Sequence, residues 1–219
     1  MKVWTDNDYY LNEHLAEEDK ALKHALAFSR ENNLPEWEVS ATQGKFLYLL
    51  AKMRNAHRVL EIGTLGGYST IWLARAVPAD GIVISLEYDK LYADVACKNI
   101  EYAGLQDKVK IIQGAAMDSM KKMVADRVKP FDMIFIDADK PNNPHYLQLS
   151  LELSKSGTVI FGDNVIRGGE LCNGASLDDK VVGVRKFIEV MGASENLEST
   201  ALQTVGTKGY DGFTISMVK

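Results

Sequence analysis

The sequence predicts an α/β fold: a doubly wound, mostly parallel sheet with an antiparallel C-terminal strand pair and an N-terminal helical extension over residues 1–55. Three observations predict it. Short apolar runs occur at residues 59–62, 82–86, 109–112, 133–136 and 158–161. Runs that are apolar rather than alternating belong to strands buried on both faces, as in a parallel sheet. Segments of helical character separate them, at 69–77, 90–103, 119–127 and 144–154, so strand and helix alternate along the chain. The tail breaks that alternation. After a helix expected at 181–191, strand-like runs at 201–205 and 213–218 are joined by the glycine-rich stretch 206–212, which reads as a hairpin.

The helical extension rests on a different pattern. Leu11, Leu15, Leu22 and Leu26 recur at helical spacing among charged residues, so residues 8–31 read as amphipathic helix. Pro35 ends it, because proline lacks an N–H donor and restricts the residue before it. A second helix is expected at 42–54. No repeat, low-complexity tract or linker divides the 219 residues, so they read as one domain.

Composition excludes several classes of function. Hydrophobic residues make up 46% and charged residues 25%, as in an ordinary globular chain. A net charge of −5, with no basic cluster, argues against a nucleic-acid partner. The acidic N-terminus lacks the apolar core of a signal peptide, and no apolar run is long enough for a membrane span. Cys97 and Cys172, without CxxC spacing or nearby histidines, predict neither disulfide framework nor zinc site. A cytoplasmic location is expected.

In an open parallel sheet, ligands bind beyond the carboxyl ends of the strands. The first such end runs Glu61-Ile62-Gly63-Thr64-Leu65-Gly66-Gly67-Tyr68-Ser69. Its glycine turn into a helix suits backbone N–H groups laid against a ligand, yet it is not the GxGxxG of a dinucleotide site. Glu61 would repel a phosphate and attract an ammonium, and Ser69 is placed to hold a carboxylate. Glu87 ends the second strand, where a carboxylate accepts both hydroxyls of a ribose. Together these ends suggest adenosine with a free diol. Asp137 and the pair Asp163-Asn164 end the fourth and fifth runs. If those strands are neighbours, three oxygen donors meet and suit a hard cation, Mg²⁺ first, with Ca²⁺ or Mn²⁺ as alternatives. The plain alternative is that both aspartates cap strand ends. Lys140 reads either as a base beside the cation or as a surface lysine.

These motifs, with Asp137-Ala138-Asp139-Lys140-Pro141-Asn142 and Gln43-Gly44-Lys45-Phe46-Leu47, closely resemble the cation-dependent O-methyltransferases, a family that includes caffeoyl-coenzyme A and catechol O-methyltransferases. The resemblance runs from about Val39 to the C-terminus, and bacterial members look closest. It implies a Rossmann-like methyltransferase sheet, S-adenosylmethionine and a divalent cation as cofactors, a small aromatic diol as acceptor, and a homodimer. By position, Val39, Glu61, Gly63, Thr64, Ser69, Glu87, Ala115 and Asp139 match cofactor contacts. Asp137, Asp163 and Asn164 match the metal ligands, and Lys140 the general base. Two positions depart from the pattern: Asn143 stands where members often carry Tyr, and Arg167 where plant members carry an aromatic residue. The N-terminal aromatics Trp4, Tyr9 and Tyr10 read as a lid, a dimer contact or core cover. A nicotinamide-dependent oxidoreductase and a non-catalytic binding module are the rival readings. The missing GxGxxG opposes the first and the intact Asp137, Lys140, Asp163 and Asn164 set the second.

Overall fold

A computed structural model describes residues 2–219 and arranges seven strands in one mixed sheet of order β3-β2-β1-β4-β5-β7-β6. β1 (Arg58–Ile62), β2 (Ile82–Glu87), β3 (Val109–Gln113), β4 (Met133–Ile136) and β5 (Val159–Asp163) are parallel. β7 (Gly209–Val218) runs antiparallel to both β5 and the outermost strand, β6 (Leu197–Gly206). The helices are α1 (Lys2–Leu15), α2 (Lys20–Glu31), α3 (Ala41–Met53), α4 (Tyr68–Ala76), α5 (Lys90–Tyr102), α6 (Ala116–Ala125), α7 (Asn143–Glu152) and α8 (Asp179–Ala193).

Side chains alternate across each strand, and both faces are covered. Val59, Met133, Phe135 and Phe161 pack with Leu22, Leu47, Ile71 and Ile100 from α2 to α5. Leu60, Ile134, Ile136 and Ile160 pack on the other side with Met120, Leu147, Val184 and Phe187 from α6 to α8. The expected mostly parallel, doubly wound sheet with its antiparallel C-terminal strands is what the chain forms. Among the described residues, no helix is long and apolar enough to cross a membrane.

Two expectations change in detail. The single helix read at 8–31 is two helices, because Asp19 starts a new one: its carboxylate accepts the N–H of Leu22 at 3.1 Å. The tail strands are longer than read, ten residues each against five and six, and only Thr207 and Lys208 lie between them. Most of β6 is exposed, since it forms the sheet edge, so burial leaves little apolar signal there.

The strand order reverses between β1 and β4, with β2 and β3 on one side and β5 on the other. A crevice at their carboxyl ends follows from that topology.

Candidate active site

The crevice is a cavity of about 850 Å³ that runs from the turn after β1 to the ends of β4 and β5. Gly63 opens it. Its φ is +101°, and an added Cβ would lie 2.3 Å from the carbonyl oxygen of Asp137. Both the backbone conformation and the close approach require glycine. Gly67, at φ +83°, begins α4 without any side-chain cap, so no side chain competes for the first-turn N–H groups beside the cavity.

Glu87 lines the cavity at the end of β2 and is nearly buried. Its Oε2 accepts the N–H groups of Thr64 and Leu65 at 3.1 and 2.8 Å, and Oε1 that of Asp89 at 2.9 Å. The carboxylate therefore holds the glycine turn in place while facing the cavity. Thr64 lines the wall and shares a 2.5 Å hydrogen bond with Ser85.

Glu61 is placed differently from the others. It is fully buried and is not among the residues lining the cavity. It shares the strand face of Val59, which is turned toward α4. Three hydroxyls donate to its carboxylate: Ser69 at 2.6 Å, Thr70 at 2.5 Å and Ser85 at 2.6 Å. Burial pushes the Glu61 carboxyl up to about 7, against those three hydrogen bonds, which pull it down. Of this group only Ser69 also reaches the cavity wall.

The wall at the ends of β4 and β5 is acidic. β4 and β5 are adjacent, Ile136 pairs with Gly162, and the following residues, Asp137 and Asp163, continue that register. Asn164, at φ +56°, and Lys140 line the same end. Lys140 is 6% exposed and its Nζ lies 2.9 Å from Asp137 Oδ1, which removes the surface-lysine reading. Asp163 accepts from Gln43 Nε2 at 2.7 Å and from the N–H of Asn164 at 2.8 Å. Burial raises the carboxyls of both aspartates, and the charge of Asp137 adds to the rise at Asp163. Two carboxylates thus share a single buried ammonium. No group of three His, Cys, Asp or Glu suited to a metal occurs among the described residues. The donor set is two carboxylates and an amide, whose oxygens and surplus negative charge fit a hard divalent cation.

Val39 and Ala115 line the cavity walls, and Asp139 the rim, where it accepts from Tyr146 at 2.6 Å and Asn142 at 2.5 Å. Several wall residues escape sequence reasoning. Tyr68 donates to Glu18 at 2.5 Å, and Lys208 reaches Glu38 at 2.9 Å from the hairpin turn. Partners so far apart in the chain leave no local signal. Gln43 did have one, in the Gln43-Gly44-Lys45 motif. Trp37, 73% exposed at the mouth, had none.

Comparison with known proteins agrees with this geometry. The family model described as O-methyltransferase matches residues 12–216. A catechol O-methyltransferase of Niastella koreensis is 46% identical, over 100% of this chain and 99% of its own length. One from Mycobacterium tuberculosis is 47% identical, over 98% of this chain and 96% of its own. The crystal structure of an O-methyltransferase from Bacillus cereus in complex with SAH superposes with a TM-score of 0.98 at 49% identity, covering 100% of this chain and 99% of that one. A strand order that reverses at a glycine turn, and relatives matched end to end, lead to one conclusion: the chain belongs to the O-methyltransferase family.

Proposed function

We propose that this protein uses S-adenosylmethionine and a divalent cation, Mg²⁺ in the first instance, to methylate one hydroxyl of a small catechol-like aromatic diol. The observation that carries the reading is the meeting of Asp137, Lys140, Asp163 and Asn164 in one cavity with Glu87 and the glycine turn. The names of the relatives, catechol O-methyltransferases, support the acceptor class. All 219 residues serve this one activity as a single domain. Cys97 and Cys172, unpaired and exposed, suit the reducing cytoplasm. The exposed Tyr9 and Tyr10 on α1 and Leu202 on β6 suit a homodimer.

In this mechanism Asp137, Asp163 and Asn164 hold the cation. When bound, the cation supplies positive charge that favours an ionised acceptor hydroxyl, and S-adenosylmethionine supplies an electrophilic methyl group. With Asp137 given over to the cation, Lys140 releases its ammonium proton to solvent, and the neutral amine then takes the acceptor proton at Nζ and becomes the ammonium again. Glu87 accepts the ribose hydroxyls, and Val39, Gly63, Thr64, Ala115 and Asp139 shape the remainder of the cofactor site. Glu61 acts through Ser69, whose hydroxyl it orients. The walls exclude water and fix orientation, which is the protein's main contribution to a transfer of this kind.

Two results test the reading. Chelator should abolish methyl transfer to catechol, and catechol should exceed phenol in kcat/KM by about tenfold or more, because only a vicinal diol offers two oxygens to one cation. Equal rates for catechol and phenol would remove the diol from the proposal. Glu87→Ala should weaken S-adenosylhomocysteine binding by about 2 kcal/mol in calorimetry, through loss of charge-assisted hydrogen bonds and of the turn they hold. Wild-type affinity in a folded variant would remove Glu87 from the cofactor site.

A further inference from the structure

Arg167, one of the cations of this cavity, has a closely specified backbone. Its φ of +56° is disfavoured for a residue with a Cβ. A single carboxylate oxygen holds it there: Asp211 Oδ1 accepts the N–H groups of Ile166, Arg167 and Gly212 at 2.8, 3.1 and 2.9 Å. Gly168 and Gly169 follow at positive φ and let the chain turn away. The side chain lines the cavity three residues beyond Asn164. Its Nε is shut from solvent and donates to nothing. A buried donor without an acceptor is costly, and a bound anion would satisfy it.

A second cation lies on the same wall. Lys180, at the start of α8, is exposed and lines the cavity. Lys140 and Lys208, the other lysines of the wall, are engaged by Asp137 and Glu38. Among the described residues, neither Arg167 nor Lys180 is within ion-pair distance of a carboxylate. The cavity therefore offers two positive charges without an ion-pair partner, in addition to its proposed diol-binding end.

We propose that Arg167, assisted by Lys180, binds a carboxylate carried by the acceptor ring, so that catechol carboxylates are the preferred acceptors. The inference rests on the catechol reading above and adds a specificity determinant to it. A guanidinium presents a planar fork that matches a carboxylate with two parallel hydrogen bonds. A neutral catechol leaves both cations unpaired, and an amine-bearing catechol meets repulsion. The competing role for Arg167 is that of a counter-charge to Asp137, whose carboxyl it helps to hold down.

The experiment compares protocatechuate, its methyl ester and dopamine as acceptors for the wild type and for Arg167→Gln, Arg167→Lys and Lys180→Gln. It reads kcat/KM and also calorimetric binding of each acceptor to protein loaded with S-adenosylhomocysteine. Wild type should favour protocatechuate over the ester and dopamine. Arg167→Gln should lower kcat/KM and affinity for protocatechuate by about 10- to 100-fold and change the ester by less than about threefold. Arg167→Lys should fall between, and Lys180→Gln, at an exposed position that folding tolerates, should shift the acid alone in the same direction. Equal losses for acid and ester, or no wild-type preference for the acid, overturn the inference while leaving catechol methylation standing. Failure of the wild type to methylate any of the three overturns both.

Discussion

Lys140→Ala is expected to lower kcat by about 100-fold, near the lower end of what general acid–base help contributes, with S-adenosylhomocysteine affinity unchanged. The lysine is buried and its ammonium stands 2.9 Å from Asp137, so two roles compete: moving the acceptor's proton, or balancing the charge of Asp137 and Asp163. Lys140→Arg separates them. Arginine keeps the charge but does not give up its proton, so it should rescue a counter-charge and fail to rescue a base. Higher pH should partly restore Lys140→Ala, because hydroxide then removes the acceptor proton. Full activity of Lys140→Arg at neutral pH would end the general-base role.

Asp163→Ala should fail in another way. It removes one of two carboxylates and the acceptor of the Gln43 amide, so cation affinity should drop and activity should return in part at high Mg²⁺. Lys140→Ala, with one positive charge fewer near the aspartates, should bind the cation at least as well as wild type. Titrating activity against Mg²⁺ for both variants checks the contrast. Identical Mg²⁺ dependence in the two would contradict the division of roles.

The second large effect concerns stability. Glu61 is an ordinary carboxyl of 4.5 when unfolded, and burial pushes it up to about 7 in the fold. Between those values the folded chain binds more protons than the unfolded one, so stability is fullest below about 4.5 and falls as pH rises toward 7. The loss attributable to Glu61 is about 3 kcal/mol. Glu61→Gln resembles the protonated form. It should match wild type near pH 4 and exceed it by about 3 kcal/mol at pH 8 in denaturant unfolding. Asp137 and Asp163, also raised, contribute the same sign in both proteins, so most of their effect cancels in the difference. Parallel stability curves for the two proteins would show that Glu61 titrates normally.

Much of the fold was legible because β1, β2, β4 and β5 are inner strands covered on both faces, and their side chains are apolar for that reason. β6 was read only in part: at the sheet edge its side chains meet solvent on most positions, and no periodicity marks where it starts. The break between α1 and α2 was missed because helical spacing continues across it, while the decision rests on one capping carboxylate, Asp19.

For the site, the sequence alone determined which residues end the strands: Gly63 at the turn after β1, Glu87 at β2, Asp137 at β4, and Asp163 with Asn164 at β5. Local pattern suffices there, because a strand's end lies where its apolar run stops. Only the tertiary structure decided what those residues meet. It paired β4 with β5, buried Lys140 against Asp137, enclosed Glu61 among three hydroxyls away from the cavity, and left Arg167 and Lys180 without carboxylate partners on its wall. The physical reason is that burial, and the charge balance of a cavity, are set by neighbours distant in the chain. Gln43 and Asp163, 120 residues apart, share a 2.7 Å hydrogen bond, and nothing local to either residue records it.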